Sequence, residues 1–162
     1  MNVYDFAMEM ELEGKAHYER LAQGTSITGL RNIFIMLAAD EQKHYEVIRG
    51  IKTGDYQAVA AGSMVLDEAK NVFRGIMNEK ALLGSLHKDL DGYRYAMHVE
   101  ADSVKLYEDM AKKENSAECV QLLLKMANEE KKHYNIMENL FDFVLAPQNY
   151  LAWGEFSNLK EF

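Results

Sequence analysis

Two residue pairs in this chain have the chemistry of a metal centre. Glu41 and His44 lie three positions apart in Asp40-Glu41-Gln42-Lys43-His44-Tyr45, and Glu130 and His133 repeat that spacing in Glu129-Glu130-Lys131-Lys132-His133-Tyr134. Residues three apart on a helix share a face, so each pair turns one carboxylate and one imidazole toward a common point. A single Glu-x-x-His is unremarkable in a chain with 26 acidic residues. Two such pairs, with Glu11 and Glu100 at matched places on the other long helices, predict helices converging on one dinuclear site.

Electrostatics give that prediction its force. Glu11, Glu41, Glu100 and Glu130 all fall on otherwise apolar helical stripes, where an isolated carboxylate is too costly to keep ionised. Either the four take up protons or a strong positive charge sits among them. Two divalent ions balance four carboxylates, with His44 and His133 as neutral donors. Mixed carboxylate and imidazole ligation with redox chemistry points to two iron ions, with manganese second and zinc as a substitute taken up during expression.

The elements that must carry these residues read as all-α. Four long helices are expected over about 3–23, 30–52, 89–113 and 117–145, with a crossover over 53–88 and a tail over 146–162. The first stripe is Tyr4, Ala7, Glu11, Gly14, Tyr18, Leu21; the second is Leu30, Phe34, Leu37, Glu41, His44, Ile48, Ile51. The third is Tyr93, Ala96, Glu100, Ser103, Tyr107, Met110, and the fourth is Cys119, Leu123, Met126, Glu130, His133, Met137, Leu140. Gly24 to Gly29 supply residues suited to a C-cap, a turn and an N-cap, Gly50 and Gly54 suggest a frayed helix end, and Ser116 suits an N-cap. Pro147 stops the fourth helix, and the aromatic stretch Tyr150 to Phe156 is expected to fold back on the bundle. Within the crossover, Gly54 to Gly62 reads as loop and Met64 to Met77 as a short amphipathic helix. Leu82, Leu83, Leu86 and Leu90 lead into the third long helix.

The stripes repeat. A shift of 89 positions carries Glu11 onto Glu100, Tyr18 onto Tyr107, Glu41 onto Glu130, His44 onto His133 and Tyr45 onto Tyr134, without a gap from Tyr4 to Ile51. The domain is therefore two helical hairpins of one design, each antiparallel because its turn is short. Glu11 and the Glu41/His44 pair are about equally far from the first turn, and Glu100 and Glu130/His133 from the second. All six then stand at mid-height. The link between hairpins is long enough to cross the bundle, and a crossover is expected if the third long helix begins at the same end as the first.

Metal-bound imidazoles usually donate their second N–H to a carboxylate or carbonyl. Asp40 and Glu129 precede the paired glutamates on the repeat, so Asp40 is expected to accept from His133 and Glu129 from His44. His17, His87 and His98 lack a glutamate at the pairing distance and read as surface or packing residues. Cys119 lies on an apolar stripe and reads as a buried, inert thiol. The methionines read as core filler, and Glu9, Glu13, Glu19 and Glu108 as a solvated face.

The formal net charge of −8 and pI near 5.1 argue against nucleic acid or an anionic membrane as partner. No apolar run is long enough to span a bilayer, and the first residues do not resemble a signal peptide. With Cys119 as its single cysteine, the chain has no internal disulfide and no four-cysteine metal site, so a cytoplasmic location is the expectation.

Glu100 followed by Tyr107 and then Glu130-x-x-His133, duplicated at Glu11, Tyr18 and Glu41-x-x-His44, resembles the ferritin-like di-iron carboxylate superfamily, most nearly its rubrerythrin branch. The resemblance covers nearly the whole chain. It implies a ferritin-like four-helix bundle in which Glu11 and Glu100 are terminal ligands and Glu41 and Glu130 bridge. His44 and His133 each cap one metal, and Tyr18 and Tyr107 donate hydrogen bonds to carboxylates. It also implies an oxidoreductase that reduces peroxide or O2 in oxidative-stress protection. The alternative is an iron-binding, ferroxidase-like protein that handles Fe(II) without a separate substrate. A homodimer is implied too, with helix exchange across 53–90 as a variant. Two departures stand out. The chain lacks the Cys-x-x-Cys pairs of a rubredoxin domain, so an external, rubredoxin-like donor must supply electrons. Ser103 holds the place of an extra glutamate that the family carries one turn beyond the third-helix ligand, which puts peroxidase activity of that type in question.

Overall fold

Local signals set the ends of the helices. Asn2 opens α1 (Val3–Gly24) by accepting a hydrogen bond from Asp5 N at 2.9 Å, which satisfies one of the unpaired first-turn donors. At the other end Arg31 closes the turn, its guanidinium donating to Ala22 O and Thr25 O at 3.3 and 2.8 Å. These are carbonyls that the finished helix leaves without partners. The next helix, α2, runs Thr28–Thr53, so Gly29 lies inside it rather than in the turn. Its C-terminus is closed, not frayed as expected. Gly54 adopts the left-handed conformation (φ 81°), and its N–H reaches Gly50 O and Ile51 O, a conformation that glycine takes without strain.

This geometry comes from a computed structural model that describes residues 2–55, 63–77 and 83–145, and no strand occurs among them. The expected return of Tyr150 to Phe156 onto the bundle, the stop at Pro147 and most of the loop before Gly62 lie outside the described residues. Two short helices occupy the link between hairpins. Val65–Met77 forms α3, whose Val65, Ala69, Phe73 and Ile76 are buried against α2 and α6 (Ala117–Leu145). Leu83–His87 forms a separate short helix, α4, packed on α6. The leucines ahead of the third long helix thus include a short helix of their own. Lys88 and Asp89 turn the chain, and α5 (Leu90–Lys113) starts afresh. Leu86 is buried on this short element.

Helices α1 and α2 pack along their length, as do α5 and α6, and the two hairpins join through α1 on α5 and α2 on α6. This is an all-α, ferritin-like four-helix bundle. Direction along it can be read from the contacts. Lys52 near the end of α2 pairs with Asp5 at the start of α1, while His17 near the end of α1 bonds to Gly92 O at the start of α5, at 2.9 Å. Tyr4 OH donates to Glu114, just past the end of α5. Helix α5 therefore begins where α1 finishes, and the two are antiparallel. The sequence expectation tied the crossover to a shared starting end. The reverse holds, since α2 ends at the opposite end of the bundle from the start of α5.

The core comes in two parts. One apolar cluster gathers Leu21, Leu30, Phe34 and Leu37 with Phe73 of α3, Leu86 of α4, Tyr93 and Leu140. The other gathers Ala7, Val47, Ile48 and Ile51 with Tyr107, Met110, Cys119, Leu123 and Met126. Cys119 is buried. Between the clusters lies a polar layer of buried glutamates and histidines.

Candidate metal centre

Each long helix sends its mid-height residues into that layer. Glu11, Glu41, His44, Glu100, Glu130 and His133 are all buried, as their stripes require, and none is more than 2% exposed. Their donor atoms form two overlapping groups. Glu11, Glu41, His44 and Glu130 offer ligand atoms that all lie within 4.8 Å of one another, and so do Glu41, Glu100, Glu130 and His133. Glu41 and Glu130 belong to both groups. His44 Nδ1 stands 2.9 Å from Glu130 Oε1 and 3.6 Å from Glu11 Oε1. His133 Nδ1 stands 3.0 Å from Glu41 Oε1, 3.3 Å from Glu100 Oε1 and 3.4 Å from Glu130 Oε1. Two donors about 2.1 Å from one ion and at about a right angle lie roughly 3 Å apart, so these spacings suit shared coordination.

The unused atoms point the same way. Glu11 Oε2, Glu41 Oε1, Glu100 Oε2, both Glu130 oxygens and both inward Nδ1 atoms are buried without a hydrogen-bond partner. Buried polar atoms are almost always paired. So many orphans converging in one layer fit a pair of cations and no apolar ligand.

The outer edges of the imidazoles are held. His133 Nε2 lies 3.0 Å from Asp40 Oδ2, and His44 Nε2 lies 3.2 Å from Glu129 Oε1. These are the pairings expected from the repeat. With a carboxylate on each Nε2–H, the Nδ1 lone pair of each ring faces inward. Tyr18 OH donates to Glu100 Oε1 at 2.6 Å, and Tyr107 OH donates to Glu11 Oε1. Shifting either contact of a pair by 89 positions generates the other, so the repeat is realised as an approximate two-fold axis through the centre.

Charge is strained in this layer. Burial, reinforced by the Glu100 and Glu11 charges, pushes the Glu130 carboxyl up to about 8. Burial and the charges of Glu100, Glu11 and Glu130 push Glu41 well above the carboxylate range. Burial opposes charge on His44, yet Glu130 and Glu11 hold it well above an ordinary imidazole; Glu100 and Asp40 do the same for His133. Burial also acts to raise Glu11, but His44 beside it brings the carboxyl below its usual value. Burial, with Glu100 facing Tyr18 and Glu11 facing Tyr107, keeps both phenols protonated. A layer in which carboxylates and imidazoles compete for protons is one that divalent cations relieve.

Other residues take a part that sequence reasoning missed. Gly14 packs so tightly on Glu41 that a Cβ there would stand 3.0 Å from Glu41 Oε2. Its place on an inward stripe level with Glu41 was the available signal. Burial acts to raise the Asp40 carboxyl, but His133 and, across the fold, Ser63 of the crossover hold it below its usual value, an influence no local pattern announces. Ser103 is buried, and its hydroxyl donates to Val99 O at 2.9 Å, within its own helix. His17 packs edge-on against Tyr95 and bonds to Gly92 O, outside the donor groups.

A family model described as Rubrerythrin matches residues 2–141. Comparison with curated proteins and with solved structures gave no match.

Proposed function

We propose, from the premise that the chain belongs to the rubrerythrin family, that it is a non-haem di-iron oxidoreductase reducing peroxide or O2 with electrons from an external donor. One observation carries this reading: two buried four-residue donor groups share Glu41 and Glu130. Glu11 and His44 would complete one ion's ligands, Glu100 and His133 the other's, with Glu41 and Glu130 bridging. Iron held there would supply the two electrons that, with two protons, convert hydrogen peroxide to two waters, and the external donor would restore those electrons.

The chain's own residues do the rest. Asp40 and Glu129 orient the imidazoles. Tyr18 and Tyr107 hold a proton at the phenol oxygen beside Glu100 and Glu11, which steadies those carboxylates and keeps a donor near the centre. The apolar clusters above and below exclude bulk water. Ser103 is bonded to its own helix and supplies no carboxylate, so Glu11, Glu41, Glu100 and Glu130 would be the carboxylates that hold the ions. A homodimer working in the cytoplasm with a rubredoxin-like donor completes the proposal. No helix among the described residues is long and apolar enough to cross a membrane.

The test is anaerobic loading with Fe(II), then peroxide or O2 with a rubredoxin-type donor. Many turnovers per centre support the oxidoreductase. Oxidation of the loaded Fe(II) that stops after one equivalent, with donor present, supports iron handling instead.

A further inference from the structure

Tyr18 stands at the inner end of a row of rings. Its hydroxyl donates to Glu100 Oε1 at 2.6 Å, within one of the two donor groups, and the residue is buried. The His17 ring lies 6.2 Å from the Tyr18 ring between centroids, tilted by 53°. It meets the Tyr95 ring edge-on, at 4.7 Å and 66°, an arrangement that aromatic rings favour. His17 Nε2 donates to Gly92 O at 2.9 Å, which fixes this middle ring against α5. Tyr95 is 50% exposed, so the row runs from the buried layer to the surface. A further ring beside Tyr18, that of Phe34, leads on to Tyr93, and both of these are fully buried.

The repeat supplies an internal comparison. A shift of 89 positions pairs Tyr18 with Tyr107, His17 with Leu106 and Phe6 with Tyr95. Tyr107 donates to Glu11 as Tyr18 does to Glu100. The two outer places on the Tyr107 side, however, hold an aliphatic side chain and a phenyl ring without a hydroxyl. Neither gives up an electron as a phenol does. Two sides built on one pattern thus differ at the residues that would carry charge outward.

We propose that Tyr18, His17 and Tyr95 form a one-electron route on the Glu100 side only, which moves a phenoxyl radical from buried Tyr18 to exposed Tyr95, where a small reductant of the phenol or ascorbate class quenches it. The proposal rests on the oxidoreductase reading for its oxidant, hydrogen peroxide reduced at the centre. Tyr18 gives up one electron toward the centre and its phenolic proton to Glu100 Oε1. One electron then passes from Tyr95 to Tyr18 across the His17 ring, Tyr18 recovers its proton from Glu100, and Tyr95 releases its own proton to solvent. The reductant returns one electron and one proton to Tyr95 and leaves as its own radical. Two such cycles match the two electrons that peroxide takes up. His17 bridges and is not itself oxidised, because an imidazole holds its electrons more tightly than a phenol.

The route is tested in the full chain loaded with zinc, which is redox-silent, with 3-aminotyrosine in place of Tyr18. The substituted phenol gives up an electron more easily than tyrosine, and at a buried position it is shielded from direct attack. Azide radicals from pulse radiolysis oxidise exposed phenols such as Tyr95. The aminotyrosyl absorption should then grow in at a rate independent of protein concentration. That growth should be lost in Tyr95→Phe, which keeps the ring contact with His17. It should be lost as well in His17→Gln, which keeps a donor for Gly92 O but has no ring. It should also be absent when 3-aminotyrosine replaces Tyr107 instead. No growth in the parent, growth that persists in either variant, or equal growth at position 107 overturns the proposal. The readout uses neither iron nor peroxide, so it separates the route from the oxidoreductase reading. Growth here with no peroxide turnover in the iron-loaded protein sinks that reading and leaves the route standing. Turnover without growth does the opposite.

Discussion

Each imidazole of the centre uses its two nitrogens differently. Nδ1 faces the carboxylates, and Nε2 is tied to Asp40 or Glu129. Losing an outer carboxylate frees the ring to rotate and lowers its basicity. Asp40→Ala is therefore expected to weaken binding of one of the two metals by about 10–100-fold, with the second ion less affected, as measured by competition with a chromophoric chelator. Glu130 stands in both donor groups, so its loss should not be confined to one ion. Glu130→Ala should abolish two-metal binding altogether. A variant that still holds two irons per chain at full affinity would refute the assignment of the centre. Tyr107→Phe removes a hydrogen bond and leaves the donors in place, so metal content should persist.

At the scale of elements, the short helix α3 braces the seam where both imidazoles are held. It packs on α2 and α6, and its Phe73 is 1% exposed within the larger apolar cluster. Truncating a buried phenylalanine costs the transfer term and a cavity. Phe73→Ala should lower unfolding free energy by about 3–5 kcal/mol, read by urea denaturation of the metal-free protein. The cap of α2 carries a smaller cost. A left-handed residue other than glycine is strained there, so Gly54→Ala should cost about 1 kcal/mol. Since Gly54 lies at the end of the bundle, the stoichiometry of metal binding should not change.

For the whole molecule, metal and protons compete for one buried layer. In the metal-free protein the Glu130 carboxyl, ordinarily near 4.5, rises to about 8, and Glu41, His44 and His133 are raised as well. A group that binds its proton more tightly when folded stabilises the fold at low pH. That contribution is lost as pH climbs through the folded value. Glu11 and Asp40 are lowered and act in the opposite direction, but they are outnumbered. The melting temperature of the chelator-treated protein should thus fall between about pH 5.5 and pH 8.5, and Glu130→Gln should flatten the fall. Two divalent ions should reverse the trend, because they bind deprotonated donors. Each ion should add about 2.7 kcal/mol at a hundredfold excess over its Kd. A metal-free melting temperature that rises across this window would contradict the charge description of the centre.

The six inward residues could be read from the chain because helical periodicity is local. Spacings of three and four place Glu41 and His44 on one face whatever the rest of the fold does, and the 89-residue repeat placed Glu11, Glu100, Glu130 and His133 beside them. The all-α hairpin architecture followed from the same stripes and the short turns. Other features depended on residues far apart in sequence meeting in space. That Leu83–His87 forms a helix of its own with Leu86 buried is not revealed by a leucine spacing. The antiparallel run of α1 and α5 is a property of how two hairpins dock, and the length of their link permits either direction. Gly14 reads as an ordinary small residue until Glu41 is seen pressed against it, and Ser63 until Asp40 is found within its reach. By itself the sequence determined which side chains enter the polar layer. Only the tertiary structure decided which atoms of those side chains face each other, because packing of all four helices sets their rotamers together.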